Sequence, residues 1–245
     1  MRAEEYLQKG DLKQALAVLQ EEIRNDPAKA ELRIFLFQLL CILGQWDRAL
    51  TQLNVAAEMD SDALLLSQIY GPALNCEALR ADIFIGKRTP LIFGEPLEWM
   101  SRLIQIPAHI ANGNLEGAAA LRDQAFEAAS EISGHIDGKP FTWIAEADTR
   151  LGPTIEAIVN GKYYWVPFER IKTIRIEKPE NLRDVVWATA TFTWTNKGEA
   201  VGLIPSRYPG SENSEDSSFS MSRKTDWTDA GNDFYIGTGQ RMLAT

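Results

Sequence analysis

Gly10-Asp11-Leu12-Lys13-Gln14-Ala15-Leu16 returns 34 residues later as Gly44-Gln45-Trp46-Asp47-Arg48-Ala49-Leu50. The register holds beyond the turn: Leu19 recurs as Leu53 and Asp26 as Asp60, while Pro27 gives way to Ser61. Behind the first glycine, Leu12, Leu16, Leu19 and Ile23 fall three or four apart, the spacing of one helix face. Asn25-Asp26-Pro27 ends that helix, because proline lacks an N–H and disfavours helical geometry in the residue before it. A single helix pair cannot bury its apolar face alone. Copies therefore stack, and stacking leaves a concave surface.

A 34-residue period of helix, glycine turn, helix and proline-type stop is the tetratricopeptide signature. The chain preceding Gly10 reads as the remnant of a first helix over 2–9. Further helices are expected at 12–25, 31–43, 46–59 and 63–84. The strongly apolar 31–43 must be covered on most sides. Residues 86–111 form an inserted segment: a loop from Gly86 to Gly94, then a helix from Glu95-Pro96 to about 111, broken or kinked at Pro107. Asn112-Gly113-Asn114 echoes the turn a third time, and a helix over 115–132 closes the array. Residues 1–137 thus read as a helical domain.

From about 138 the hydrophobic period changes from near 3.6 to 2. Phe141–Asp148 reads as a strand with Phe141, Trp143, Ala145 and Ala147 on one face. Asn160-Gly161 between two β-rich runs predicts a two-residue hairpin that pairs Val159 with Lys162, Ile158 with Tyr163 and Glu156 with Trp165. Further strands are expected at 171–177, 185–194 and 199–204, with Asn196-Lys197-Gly198 turning between the last two. Residues 208–223 read as a long, polar, mobile loop. Trp227, Phe234, Tyr235 and Ile236 then return to the core, before a last strand at 241–243. The fold class is α+β: an N-terminal tetratricopeptide-like α-α superhelix over 1–137, followed over 138–245 by a small antiparallel barrel-like or twisted-sheet domain.

Composition narrows the function. The 245 residues carry a net charge of −9. The acidity sits in the helical part, with 12 basic and 20 acidic residues in 1–137 against 13 and 14 in 138–245. Nucleic acid and anionic membrane both need a basic footprint, so neither is expected as a partner. Cys41 and Cys76 lie in apolar helical stretches and make no disulfide framework. No apolar run approaches the ~20 residues of a membrane span. The chain opens without a signal-peptide core, so the cytoplasm is the expected compartment.

The motifs of common enzymes are missing. His109 and His135 lack partners at zinc-ligand spacing, and no metal is expected. There is no nucleophile elbow, dinucleotide fingerprint or phosphate loop, hence no expected cofactor. Glu146 and Asp148, two apart on a strand and beside Trp143 and Trp165, form an acidic and aromatic patch. Paired carboxylates there would suit a hydrolase or a metal-dependent enzyme, unless Arg150 or tyrosine hydroxyls hold them. The competing site is the concave face of the repeat. Counting from Ala30 aims Glu31, Ile34, Gln38, Cys41 and Ile42 at the groove, where an amphipathic helix of a protein partner would lie, unless the chain itself covers those positions.

The C-terminal motifs carry a resemblance. Trp143-Ile-Ala-Glu-Ala-Asp148, Asn160-Gly-Lys-Tyr-Tyr-Trp-Val-Pro-Phe-Glu-Arg170, Phe192-Thr-Trp-Thr-Asn196, Leu203-Ile-Pro-Ser-Arg-Tyr208 and Gly237-Thr-Gly-Gln-Arg-Met242 follow a degenerate tetratricopeptide half. Taken together the chain resembles the ImpE family, also called SciE or TagJ, accessory proteins of bacterial type VI secretion. The resemblance implies a cytoplasmic, non-enzymatic adaptor. It would associate with the small subunit of the contractile sheath and influence sheath recycling by the AAA+ unfoldase ClpV. It brings no catalytic residues to carry over, and the groove contacts rest on repeat geometry alone.

Overall fold

The structure, a computed structural model, describes residues 2–95 and 97–245. Helices α1 (Arg2–Gln8), α2 (Leu12–Asn25), α3 (Ala30–Ile42), α4 (Trp46–Met59) and α5 (Ser61–Phe84) follow the order that the repeat implies. The repeated glycines are left-handed, with φ of +77° at Gly10, +67° at Gly44 and +73° at Gly113. At each turn the glycine N–H donates to the carbonyl three residues back, and the next N–H donates to the carbonyl five back. The acceptors are Leu7 and Tyr6, Cys41 and Leu40, and Ile110 and His109, all at 2.9–3.1 Å. This Schellman closure needs a residue without a Cβ at its left-handed position. The echo at Asn112-Gly113-Asn114 is therefore a third copy of the same turn. Asp11 and Asn114 cap the following helices by accepting from the N–H of Gln14 (3.0 Å) and of Gly117 (2.9 Å).

α5 runs through Pro72, which removes one of its internal hydrogen bonds. The proline lies against the turn of a hairpin: a Cβ on Gly161 would come within 3.0 Å of the Pro72 side chain. Beyond α5, the inserted segment is more than loop and helix. Strand β1 (Leu91–Ile92) joins the main sheet. The expected helix to 111 is two short ones, α6 (Met100–Leu103) and α7 (Ile106–Ala111), with the break before Pro107. Its expected start at Glu95-Pro96 includes Pro96, which lies outside the described residues. Helix α8 (Leu115–Ala128) ends short of the expected 132. The hairpin of β2 (Gly134–Ile136) and β3 (Lys139–Phe141) straddles position 138.

The main sheet adds β5 (Thr154–Val159), β6 (Lys162–Pro167), β7 (Ile171–Ile176), β8 (Trp187–Trp194) and β9 (Glu199–Pro205). Its order is β1-β6-β5-β9-β8-β7, antiparallel except where β1 runs parallel to β6. The ladder does not close, so the twisted sheet, not the barrel, is the form adopted. The Asn160-Gly161 hairpin has the expected register at all three pairs, with φ of +50° and +70° at its two turn residues.

Two expectations fail here. Phe141–Asp148 is not one strand. Phe141 ends β3, Glu146 lies in the short β4 (Ala145–Glu146), which pairs with β12 (Leu243–Ala244), and Asp148 sits in a tight turn closed by Leu151 N–H at 3.0 Å. Residues 208–223 are not a loose loop either. They hold a 3-10 turn (Ser211–Asn213) and a helical turn, α9 (Ser217–Ser220). Tyr208, Ser211, Phe219, Ser220 and Met221 in this stretch are buried. The segment rests on the repeat turns, where a Cβ on Gly44 would lie 2.5 Å from Glu212 Cγ and one on Gly10 would lie 2.8 Å from Ser217 Oγ. It continues into the ladder of β10 (Thr225–Asp229) and β11 (Tyr235–Gly239).

All six residues of β5 are buried, because both faces of the sheet are covered. Ile155, Ala157 and Val159 join Phe192 and Trp194 in a core on one face. Ile158, Tyr163, Trp165, Trp187 and Leu203 face the helices and merge with a core that begins at Ala3 and reaches Phe234. Trp187 illustrates the consequence. It shares the face of β8 that carries Thr189, Thr191 and Thr193, yet it is buried between Trp46 and Tyr70, each ring centroid 5.9 Å away.

Candidate functional site

Where the sheet meets α5, a seam of charged side chains runs through the core. Glu156, in the middle of β5, points toward the helices and is fully buried. Arg80, from α5, donates to it through Nε at 2.6 Å and Nη2 at 3.1 Å. The same Nη2 donates to the Arg207 carbonyl at 2.7 Å, and Nη1 reaches Glu77 at 3.3 Å. Arg241 donates to Glu156 from one side and to Glu146 Oε2, at 2.6 Å, from the other. Tyr163 donates its hydroxyl to Glu156 and accepts from Trp165 Nε1 at 2.9 Å. Trp187 Nε1 donates to Glu77 at 2.7 Å. Every charge here has an opposite charge or a hydrogen-bonding partner, the condition for keeping ions in a core.

The electrostatics follow the geometry. Burial pushes the Glu156 carboxyl up, but Arg241 and Arg80 overcome it and hold the group at about 2. Glu146 is raised, because burial outweighs its contacts with Arg241 and Tyr208. Tyr163 is raised well above the phenol range, first by burial and then by the neighbouring Glu156 charge. Burial also lifts both thiols, Cys41 strongly and Cys76 to about 11.

The expected acidic and aromatic patch is not assembled as a surface. Glu146 accepts from the Tyr208 hydroxyl at 2.9 Å as well as from Arg241, and Asp148 is paired with Arg150 at 2.6 Å. Asp148 also accepts from Gly237 N–H at 3.1 Å. Both carboxylates are buried, while Trp143 is 44% exposed and Trp165 lies in the core against Phe84. Arg150 and a tyrosine hydroxyl do hold these carboxylates, the alternative that the sequence left open. Among the described residues no group of three or more His, Cys, Asp or Glu is placed to hold a metal ion.

The expected groove residues meet the chain's own β half. Gln38, Cys41 and Ile42 are buried, Ile34 is half-buried and Glu31 is exposed. Gln38 Oε1 accepts from Arg183 N–H at 3.1 Å, in the 3-10 turn Leu182–Val185. The Arg207 guanidinium donates to the carbonyls of Ile42 and Cys41, each at 2.9 Å. This face of α3 is therefore an internal docking surface over most of its length, not an open groove. Glu77, Arg80, Glu156, Arg207 and Arg241 were not singled out by sequence reasoning. The available signal was a glutamate that shares a strand face with Ile158 and stands opposite Trp165 in the predicted hairpin.

The other side of α3 differs. A cleft of about 410 Å³ opens between α2, α3 and α4, with Ile23, Leu36 and Leu40 among its lining and Arg24, Arg33 and Arg48 around it. Ile34 and Leu36 lie about 200° apart around the helix, so this cleft is on the side of α3 away from the β half.

The comparisons with known proteins agree with this architecture. A tetratricopeptide repeat model matches residues 6–69, and the model described as ImpE protein matches 138–245. The type VI secretion system accessory component TagJ of Pseudomonas aeruginosa is 47% identical over the whole chain, which covers 86% of that protein. The chain belongs to the ImpE family. A crystal structure of protein VPA1032 from Vibrio parahaemolyticus superposes on this ImpE-family chain with a TM-score of 0.89 at 28% identity, covering 99% of this chain and 91% of the other.

Four of the five motifs that carried the resemblance converge in space; the fifth, Phe192–Asn196, contributes Phe192 and Trp194 to the core on the other face of the sheet. Glu146, Asp148, Tyr163, Arg207, Tyr208, Gly237 and Arg241 belong to separate motifs and meet in or beside the seam. Gly237 packs so closely that a Cβ there would lie 2.4 Å from the Tyr208 ring. Of these residues Arg207 reaches the α3 carbonyls of Cys41 and Ile42, while the others tie elements of the β half to one another.

Proposed function

We propose that the chain is a non-enzymatic adaptor of a bacterial type VI secretion system. In this reading it works in the cytoplasm, binds the small subunit of the contractile sheath, and modulates sheath recycling by the AAA+ unfoldase ClpV. The observation that carries the reading is the 47% identity, over the whole of this chain, to TagJ, a type VI secretion accessory component. Two features support it. The tetratricopeptide half is of a kind that presents surfaces to other polypeptides. The buried carboxylates are engaged by Arg80, Arg150, Arg241 and tyrosine hydroxyls, which leaves them the role of ties between elements. No helix among the described residues is long and apolar enough to cross a membrane. Pull-down of purified sheath small subunit by the purified full chain tests the reading. Retention at micromolar concentration is expected; no retention at any salt concentration would overturn it.

A further inference from the structure

With most of its concave face taken by the β half, the array offers its outer side. The cleft between α2, α3 and α4 has an apolar floor in Ile23, Leu36 and Leu40. Leu36 and Leu40 stand one helical turn apart, a spacing that meets the i, i+3 and i+4 anchors of an incoming helix. Around this floor stand Arg24, Arg33 and Arg48, and no lining residue is acidic. That is a local excess of positive charge on a chain of net charge −9. Among the described residues none of the three arginines is in an ion pair.

Arg33 is also short of acceptors. Its Nη1 donates to Gln52 Oε1 at 3.1 Å and its Nη2 to the Pro27 carbonyl at 3.4 Å, both neutral, and its buried Nε has no partner. Arg48 donates to Gln45 Oε1, again neutral. In a protein whose core pairs its charges so fully, three guanidinium groups without carboxylates around an apolar strip point outward to an occupant.

We propose that this cleft binds an acidic amphipathic helix of a protein partner. Its aliphatic side chains lie on Ile23, Leu36 and Leu40, and its carboxylates meet Arg24, Arg33 and Arg48. The inference rests on the adaptor reading and deepens it, by moving the partner from the concave shelf to the outer face. An apolar floor without aromatic rings favours an aliphatic helix over a nucleic acid, whose bases need stacking platforms.

The test titrates the full chain into two labelled peptides of about 20 residues, long enough to hold a helix. Both carry the same leucine stripe, one flanked by glutamates and one by lysines, and fluorescence anisotropy reads binding. The glutamate peptide should bind and the lysine peptide should not. The Arg33→Glu/Arg48→Glu variant should weaken binding at least about tenfold. An Arg175→Glu control on the far edge of the sheet should leave it unchanged. Equal binding of both peptides, binding of neither, displacement by a single-stranded oligonucleotide, or a charge-reversed variant that binds like the wild type would overturn the cleft. Capture of sheath small subunit by the wild type is scored separately, so the adaptor reading can stand while the cleft falls.

Discussion

Glu156→Gln is the substitution that most directly tests the buried seam. The side chain keeps its shape and loses its charge. Arg80 and Arg241 then face each other across a neutral amide whose NH2 group can only donate. A carboxyl with an ordinary value of 4.5, held at about 2 in the fold, contributes about 3 kcal/mol at neutral pH. Breaking one partner of a buried pair typically costs about 3–5 kcal/mol, so the two routes agree. The sign follows from the direction of the shift. A depressed carboxyl stabilises fully above 4.5 and loses that contribution as pH falls toward about 2. Glu146 runs the other way. Its value is raised, so its ionised form contributes less at neutral pH, and Glu146→Gln should cost clearly less than Glu156→Gln. Urea denaturation at pH 7 and pH 3, followed by the fluorescence of buried Trp165 and Trp187, measures both. A Glu156→Gln protein within about 1 kcal/mol of wild type at pH 7, or a gap that does not narrow by pH 3, would refute the argument.

Gly44→Ala should destabilise by about 1–2 kcal/mol through its left-handed backbone and its collision with Glu212. Gly113→Ala, with open space at its Cβ, should cost only the backbone part, and Glu212→Ala should relieve the steric share at Gly44 in a double-mutant cycle. Gln38→Ala should cost about 1–2 kcal/mol by leaving the Arg183 N–H unpaired, and should leave capture of sheath small subunit by the folded protein intact. Neither Cys41 nor Cys76 should react with a thiol reagent at pH 8 in the native protein, and both should react after unfolding.

The parts of the fold that were legible in the sequence are those closed by local hydrogen bonds. Gly10, Gly44 and Gly113 announce Schellman turns because each is completed by carbonyls three and five residues back. Asn160-Gly161 announces its register because a two-residue turn leaves one pairing available. The 208–223 stretch misleads because its polarity is spent inside the protein: Ser211 Oγ donates to the Tyr208 carbonyl at 2.6 Å, and Gly239 N–H donates to Ser211 Oγ at 2.8 Å. Phe141–Asp148 misleads because alternation describes a strand only when a neighbour pairs along its length, and here β3 and β4 have different partners.

The amino-acid order by itself determined the two hydrophobic periods, the repeat turns and the pairing of Glu156 with Trp165 across the hairpin. Each is a matter of neighbours close in sequence. Tertiary structure alone decided which side of α3 is covered and which charges meet. Arg80 and Glu156 are 76 residues apart, and Arg241 is a further 85 beyond Glu156. Parity places a side chain on a face, but only the docking of the sheet onto the helices supplies the partner that makes a buried charge tolerable there.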